Sequence, residues 1–137
     1  MNSEGLAMFA LLIASSILGI MLFVSLVMLP ITFATLTKEM AGNFVRKLFP
    51  VYHIVLFLAS QVAGLLAFTP HLKPIAFLCG LIFALHFVFL TPAINKATDA
   101  ENEKRFKTLH RLSVLVNVLV MALYAFALCV DACFFLG

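Results

Sequence analysis

Residues 6–29, LAMFALLIASSILGIMLFVSLVML, contain no charged side chain. A helix rises about 1.5 Å per residue, so roughly 20 apolar residues cross a hydrocarbon core about 30 Å thick. Three further runs of similar character follow, and the four spans fall at about 6–30, 50–68, 75–93 and 112–136. Hydrophobic residues make up 64% of the chain and charged ones 11%, whereas a soluble domain is about half apolar and a quarter charged. The expected fold class is therefore all-α: an integral membrane four-helix antiparallel bundle forming one transmembrane domain over residues 1–137. The first run is expected to remain as a span rather than to be cleaved as a leader. It exceeds the usual 7–15-residue apolar core of a signal peptide, follows Glu4 with no basic residue, and no convincing small-x-small cleavage site follows it. It is expected to end near Pro30, whose ring and missing N–H oppose simple continuation of the helix.

Charge sets the expected orientation. Lys38, Arg46 and Lys47 lie between spans one and two, and Lys96, Lys104, Arg105, Lys107 and Arg111 between spans three and four. Lys73 alone falls on the other side. The positive-inside rule then puts the basic side in the cytoplasm and both termini outside, in a bacterial inner (plasma) membrane. The net charge of +3 is accounted for by lipid headgroups and calls for no nucleic-acid partner.

Both basic connections keep helical periodicity. Met40, Phe44 and Leu48 recur every four residues, as in a helix lying in the interface. Glu101 with Arg105 and Glu103 with Lys107 form i,i+4 acid-to-base pairs after a cap at Thr98 or Asp99, which reads as an extension of span four. Small residues at Ala7, Ala10, Ala14, Ser15 and Gly19, and at Ala63 and Gly64, supply faces for close helix packing, within one bundle or between copies. Tyr124 lies in mid-span and should find a hydrogen-bond partner.

Polar residues inside the spans separate into two levels, and ionisable groups at membrane depth are functional candidates by default. The inner set is His53, His86 and a stripe of His110, Ser113 and Asn117, with Thr91 and Asn95 at similar depth. It reads either as a network locking the helices or as a ligand site, since histidines on different helices can ligate haem iron or a divalent metal. The outer set is Cys79, Cys129 and Cys133, with His71 in the nearby turn. Thiolates favour copper or zinc, while buried cysteine also serves simply for packing, or in a disulfide where the compartment oxidises thiols. Asp131 points away from both neighbouring cysteines and need not join them. No nucleophile elbow, phosphate-binding glycine loop or H-E-x-x-H motif is present.

Two segments carry a family resemblance. The run Met28-Leu29-Pro30-Ile31-Thr32-Phe33-Ala34-Thr35-Leu36, followed by Ala41-Gly42 and Phe49, resembles a bacterial four-helix membrane family of unknown function related to eukaryotic transmembrane protein 205. So does Thr91-Pro92-Ala93-Ile94-Asn95 with Asp99, Phe106, Leu109-His110-Arg111-Leu112-Ser113 and Asn117. Matching positions are Pro30, Phe33, Gly42, Pro92, Asn95, Asp99, His110, Ser113 and Asn117. The resemblance implies four membrane helices without a settled biochemical role, and its eukaryotic relatives are associated with resistance to platinum drugs. The cysteines lie outside the matching pattern. The chain is also similar in size and helix count to the haem-linked protoporphyrinogen oxidase and the copper-resistance membrane domain. It lacks the first-helix histidine and intramembrane lysine that the oxidase type expects.

The expected role is that of an accessory subunit or small-ligand-binding bundle without catalysis, in a homo-oligomer or larger membrane complex. Alternatives are copper binding or transport through Cys79, Cys129, Cys133 and His71, and a b-type haem protein using His53, His86 or His110.

Overall fold

The computed structural model describes residues 3–136, with side chains from 4 to 133. Six α-helical segments occur in the order α1 Ser3–Phe23, α2 Leu29–Thr35, α3 Lys38–Leu66, α4 Leu72–Leu85, α5 Thr91–Asp99 and α6 Glu103–Leu136. They join into four spans long and apolar enough to cross a membrane: Glu4–Thr35, Lys38–Leu66, Leu72–Asp99 and Glu103–Cys133. No strand occurs among the described residues.

Span one does not end at Pro30, and the reason lies in the preceding turn. A proline ring inside an α-helix collides with the carbonyl four residues back, here that of Leu26. The chain relieves this by opening Val24–Met28 into a π-helical turn, in which the Leu29 N–H bonds the Val24 carbonyl five residues earlier. The helix then resumes as α2, with Pro30 in its first turn, and runs to Thr35. Span three repeats the device. His86–Leu90 forms a π turn around Val88, four residues before Pro92, and the Thr91 N–H reaches the His86 carbonyl. α5 continues to Asp99, past the expected limit of the span.

The basic connections are shorter than their sequence implies. No separate interfacial helix forms around Met40 and Phe44: α3 runs unbroken through Pro50, capped at its start by Thr37, whose hydroxyl accepts the Met40 N–H at 3.3 Å. Before α6 the cap is Asn102, which accepts the Arg105 N–H at 3.0 Å. The expected caps are otherwise engaged: Thr98 donates to the Ile94 carbonyl and Asp99 pairs with Arg46 at 2.7 Å, tying the two basic connections together. Glu101 adopts a left-handed φ of 50° in the turn. It therefore lies off the helix face, and the pair that forms is Glu103 with Lys107, at 2.8 Å.

Neighbouring spans pack in the cyclic order α1, α3, α4, α6, leaving α3 and α6 on one diagonal. On α1 and the first position of the π turn the buried residues are Ala7, Ala10, Ala14, Ile17, Met21 and Val24. Their alternating spacing of three and four residues is that of a left-handed helix seam, in which small residues let backbones approach closely. Ser15 and Gly19, expected to mark a contact face, are exposed, and a Cβ on Gly19 would meet no atom within 4 Å. The small-residue contact of α3 is real. A Cβ on Gly64 would lie 3.1 Å from the Phe77 ring of α4.

The bundle centre is crossed by polar rungs. Asn117, Tyr124 and Asp131 succeed one another at seven-residue intervals on α6, about 10.5 Å apart along one helix face. Tyr124 is fully buried and its hydroxyl donates to Ser60 Oγ on α3 at 2.7 Å. Asn117 approaches the Tyr52 hydroxyl, which lacks a hydrogen bond of regular geometry. Leu56, Phe83, Val120 and Ala127 fill apolar layers between these levels.

The seam makes a directional prediction. Ala14→Leu should overpack the α1 interface and lower stability by about 1–3 kcal/mol, whereas Gly19→Leu should leave stability unchanged or raise it slightly through better helix propensity. Equilibrium unfolding in mixed micelles followed by circular dichroism measures both. Equal losses would place the two residues on equivalent faces and contradict the packing.

Candidate functional site

The buried polar cluster nearest the basic end is built by the second π turn. His53 of α3 is 3% exposed and His86, opening that turn, is 5% exposed. His86 Nδ1 lies 3.3 Å from His53 Nε2, and Thr91 Oγ1 lies 3.3 Å from His53 Nδ1. His86 and Thr91 are five residues apart. On an α-helix they would point about 140° away from each other, but a turn closed over i→i+5 brings them within roughly 50°. Pro92 forces that turn and thereby lets both side chains grip one imidazole.

The cluster has a loose end. With one proton per neutral imidazole, His53 donates to one neighbour and accepts from the other. Either assignment leaves His86 Nε2 as the terminus, and that atom is buried without a hydrogen-bond partner. Around the pair stand Phe49 and Phe83, with ring centroids 5.6 and 6.4 Å from that of His53, and Tyr52, edge-on at 5.3 Å. The two imidazoles meet edge to face at 5.0 Å with their planes 89° apart. Bis-histidine haem ligation requires the porphyrin plane between the two nitrogens. Here those nitrogens contact each other instead.

Beside this cluster lies a recess of about 250 Å³ lined by His53, Ile54, Phe57 and Leu58 of α3, Ala84 of α4 and Phe87 of the π turn. Ile54, Leu58 and Phe87 are 40%, 56% and 37% exposed. On a membrane-spanning helix such exposure faces hydrocarbon, so the recess opens sideways toward lipid. Both His53 nitrogens are occupied within the cluster, leaving carbon surface as the wall.

The remaining sequence candidates are placed elsewhere. His110 is exposed and stacks on Phe106 of its own helix, with centroids 5.6 Å apart and planes 9° apart. It does not join His53 and His86. Ser113, Asn117 and Asn95 are half-buried, and of these Asn117 reaches the neighbourhood of the cluster through Tyr52. Cys79 is buried in the core, Cys129 and Cys133 are exposed, and all three are free thiols. No group of three His, Cys, Asp or Glu side chains among the described residues is arranged to hold a metal ion.

Sequence reasoning did not single out the buried Ser60 and Thr69, and it set aside a third buried group, Asp131. Its side chain is 1% exposed. Oδ2 accepts the Thr69 hydroxyl at 2.5 Å and Oδ1 lies 3.3 Å from His71 Nδ1, fastening the turn between α3 and α4 onto α6. His71 thus serves a carboxylate rather than the cysteines. The available signal was the seven-residue spacing from Asn117 through Tyr124 to Asp131, which puts the acid on the interior row.

No match was found among curated proteins or among solved structures. A family model described as a domain of unknown function, DUF4149, matches residues 12–130. That interval includes both π turns, their prolines, His53, His86 and the lateral recess, and it covers well over half of the chain. On that match the chain is a member of the DUF4149 family.

Proposed function

We propose that this membrane protein is a small-ligand-binding bundle without catalysis, taking its ligand from the lipid phase into the recess between α3 and α4. The observation that carries the reading is the wall the recess shares with the buried histidine pair. His53 forms part of the recess and at the same time links His86 and Thr91, while π turns occur with unusual frequency at functional sites. A molecule pressing on Phe87 and His53 bears directly on that wide turn. Accessory service to a larger complex is compatible with this role, because a bound lipid-phase molecule can be presented to a partner.

We place the protein in a bacterial inner membrane with both termini outside. Support comes from the eight basic residues gathered at one end and from the Arg46–Asp99 pair that joins the two connections there. The kinship with transmembrane protein 205 belongs to the same reading and rests on the two proline-containing polar motifs.

Two measurements follow. Protein extracted with its native lipid annulus and examined by native mass spectrometry should retain a small molecule after the annular lipids are stripped. Ala84→Phe, which fills the recess floor, and Leu58→Trp, which crowds its mouth, should each reduce that retention several-fold without unfolding the bundle. Undiminished retention in both folded variants would remove the recess from the function. For orientation, an alkaline phosphatase fused after α6 should be active, since that enzyme folds only outside the cytoplasm. An inactive fusion whose cytoplasmic-reporter counterpart is active would reverse the assignment.

A further inference from the structure

We infer that the ligand is an anionic phospholipid, with one acyl chain in the recess and its phosphate at Lys47. The inference rests on the recess being a ligand site, as proposed above, and adds the identity of the occupant.

The argument begins with the walls. Ile54, Phe57, Leu58, Ala84 and Phe87 offer no hydrogen-bonding side chain, and His53 has committed both nitrogens to His86 and Thr91. A polar headgroup placed here would lose its hydration without compensation. The occupying part is therefore hydrocarbon. If a chain carbon takes about the 30 Å³ that a water molecule occupies in the liquid, 250 Å³ accommodates roughly eight chain carbons. The exposed rim residues show that the chain enters from the side, within the bilayer, rather than from water.

The headgroup end follows from the geometry of α3. That helix runs without interruption from Lys38 to Leu66, so residues seven and eleven apart share a face within about 20°. Counting back from Ile54 and Leu58 leads to Lys47, exposed and roughly 10–17 Å away along the axis. Val51, also exposed, lies between them on the same strip. The strip thus reads, from the basic end inward, as a cation, an apolar track and a recess. This is the order of phosphate, upper chain and lower chain in a phospholipid. Arg46, the neighbouring base, is taken up by Asp99, whereas Lys47 forms no ion pair among the described residues. An anionic headgroup supplies the missing partner. A zwitterionic one carries its own cation and gains less.

The test uses the full chain in detergent with dioleoyl phosphatidylglycerol or dioleoyl phosphatidylcholine added at equal concentration, and native mass spectrometry counts the retained lipid. Phosphatidylglycerol should be retained about fivefold better, the advantage of roughly one surface lysine. Lys47→Gln should bring that ratio close to one, while Lys104→Gln, an equal loss of charge away from the strip, should leave it unchanged. Ala84→Phe and Leu58→Trp should reduce retention of both lipids. Equal retention of the two lipids by the native chain, or a ratio untouched by Lys47→Gln, overturns the phospholipid assignment. In that event a retained molecule still sensitive to Ala84→Phe leaves the recess as a ligand site for another chemistry. Insensitivity to both recess variants defeats the recess and the phospholipid together.

Discussion

In hydrocarbon a polar group has no water to fall back on, so each one entering the bilayer must be met by another part of the protein. Most of this architecture can be traced to that requirement. α3 and α6 are not neighbours in the bundle but face each other across its diagonal, and Tyr124 is long enough to reach Ser60 over the gap. Asp131 is met through Oδ2 by the Thr69 hydroxyl at one end, with His71 3.3 Å from Oδ1, and His53 by His86 and Thr91 toward the other. The rungs are separated by apolar layers of about two helical turns, and the Tyr124–Ser60 rung sets the relative height of the diagonal helices. Leucine-like packing against lipid-like surroundings would specify that register only weakly.

The prolines perform a second task. Pro30 and Pro92 each force a wide turn upstream, yet the two turns have different contents. The first presents Val24 to the core, and the second presents His86. One backbone device is therefore used once for packing and once to converge two polar side chains on His53. The lateral recess is a by-product of the second use, because Phe87 in the same turn forms one of its walls. This is why the candidate site lies at α3, α4 and the π turn. The turn in span one has apolar residues where its counterpart has His86 and Thr91.

Much of this was legible before the fold was known. The four uncharged runs, the charge asymmetry and the pairing of Glu103 with Lys107 follow from residue counts and helical spacing. The inner level of polar residues was also visible, but its membership was not. His110 has the right spacing to accompany Ser113 and Asn117, yet it lies on an exposed portion of α6 where Phe106 offers a stacking partner. Asp131 was judged by its angle to Cys129 and Cys133, which are exposed, when the relevant comparison was with Tyr124 and Asn117 on the buried row. The span limits at Pro30 and near residue 93 were misjudged because a proline rule written for an α-helix does not anticipate relief by a π turn.

Composition and periodicity by themselves determined that this chain forms four apolar helices with its bases gathered at one end. Those properties are local: they depend on how many residues of one kind follow one another, and an isolated segment already expresses them. Tertiary structure alone decided which polar groups meet, because partners such as Ser60 and Tyr124, or Thr69 and Asp131, are more than 60 residues apart in the chain. Their meeting depends on helix order, relative height and the few tens of degrees of rotation that a single widened turn introduces.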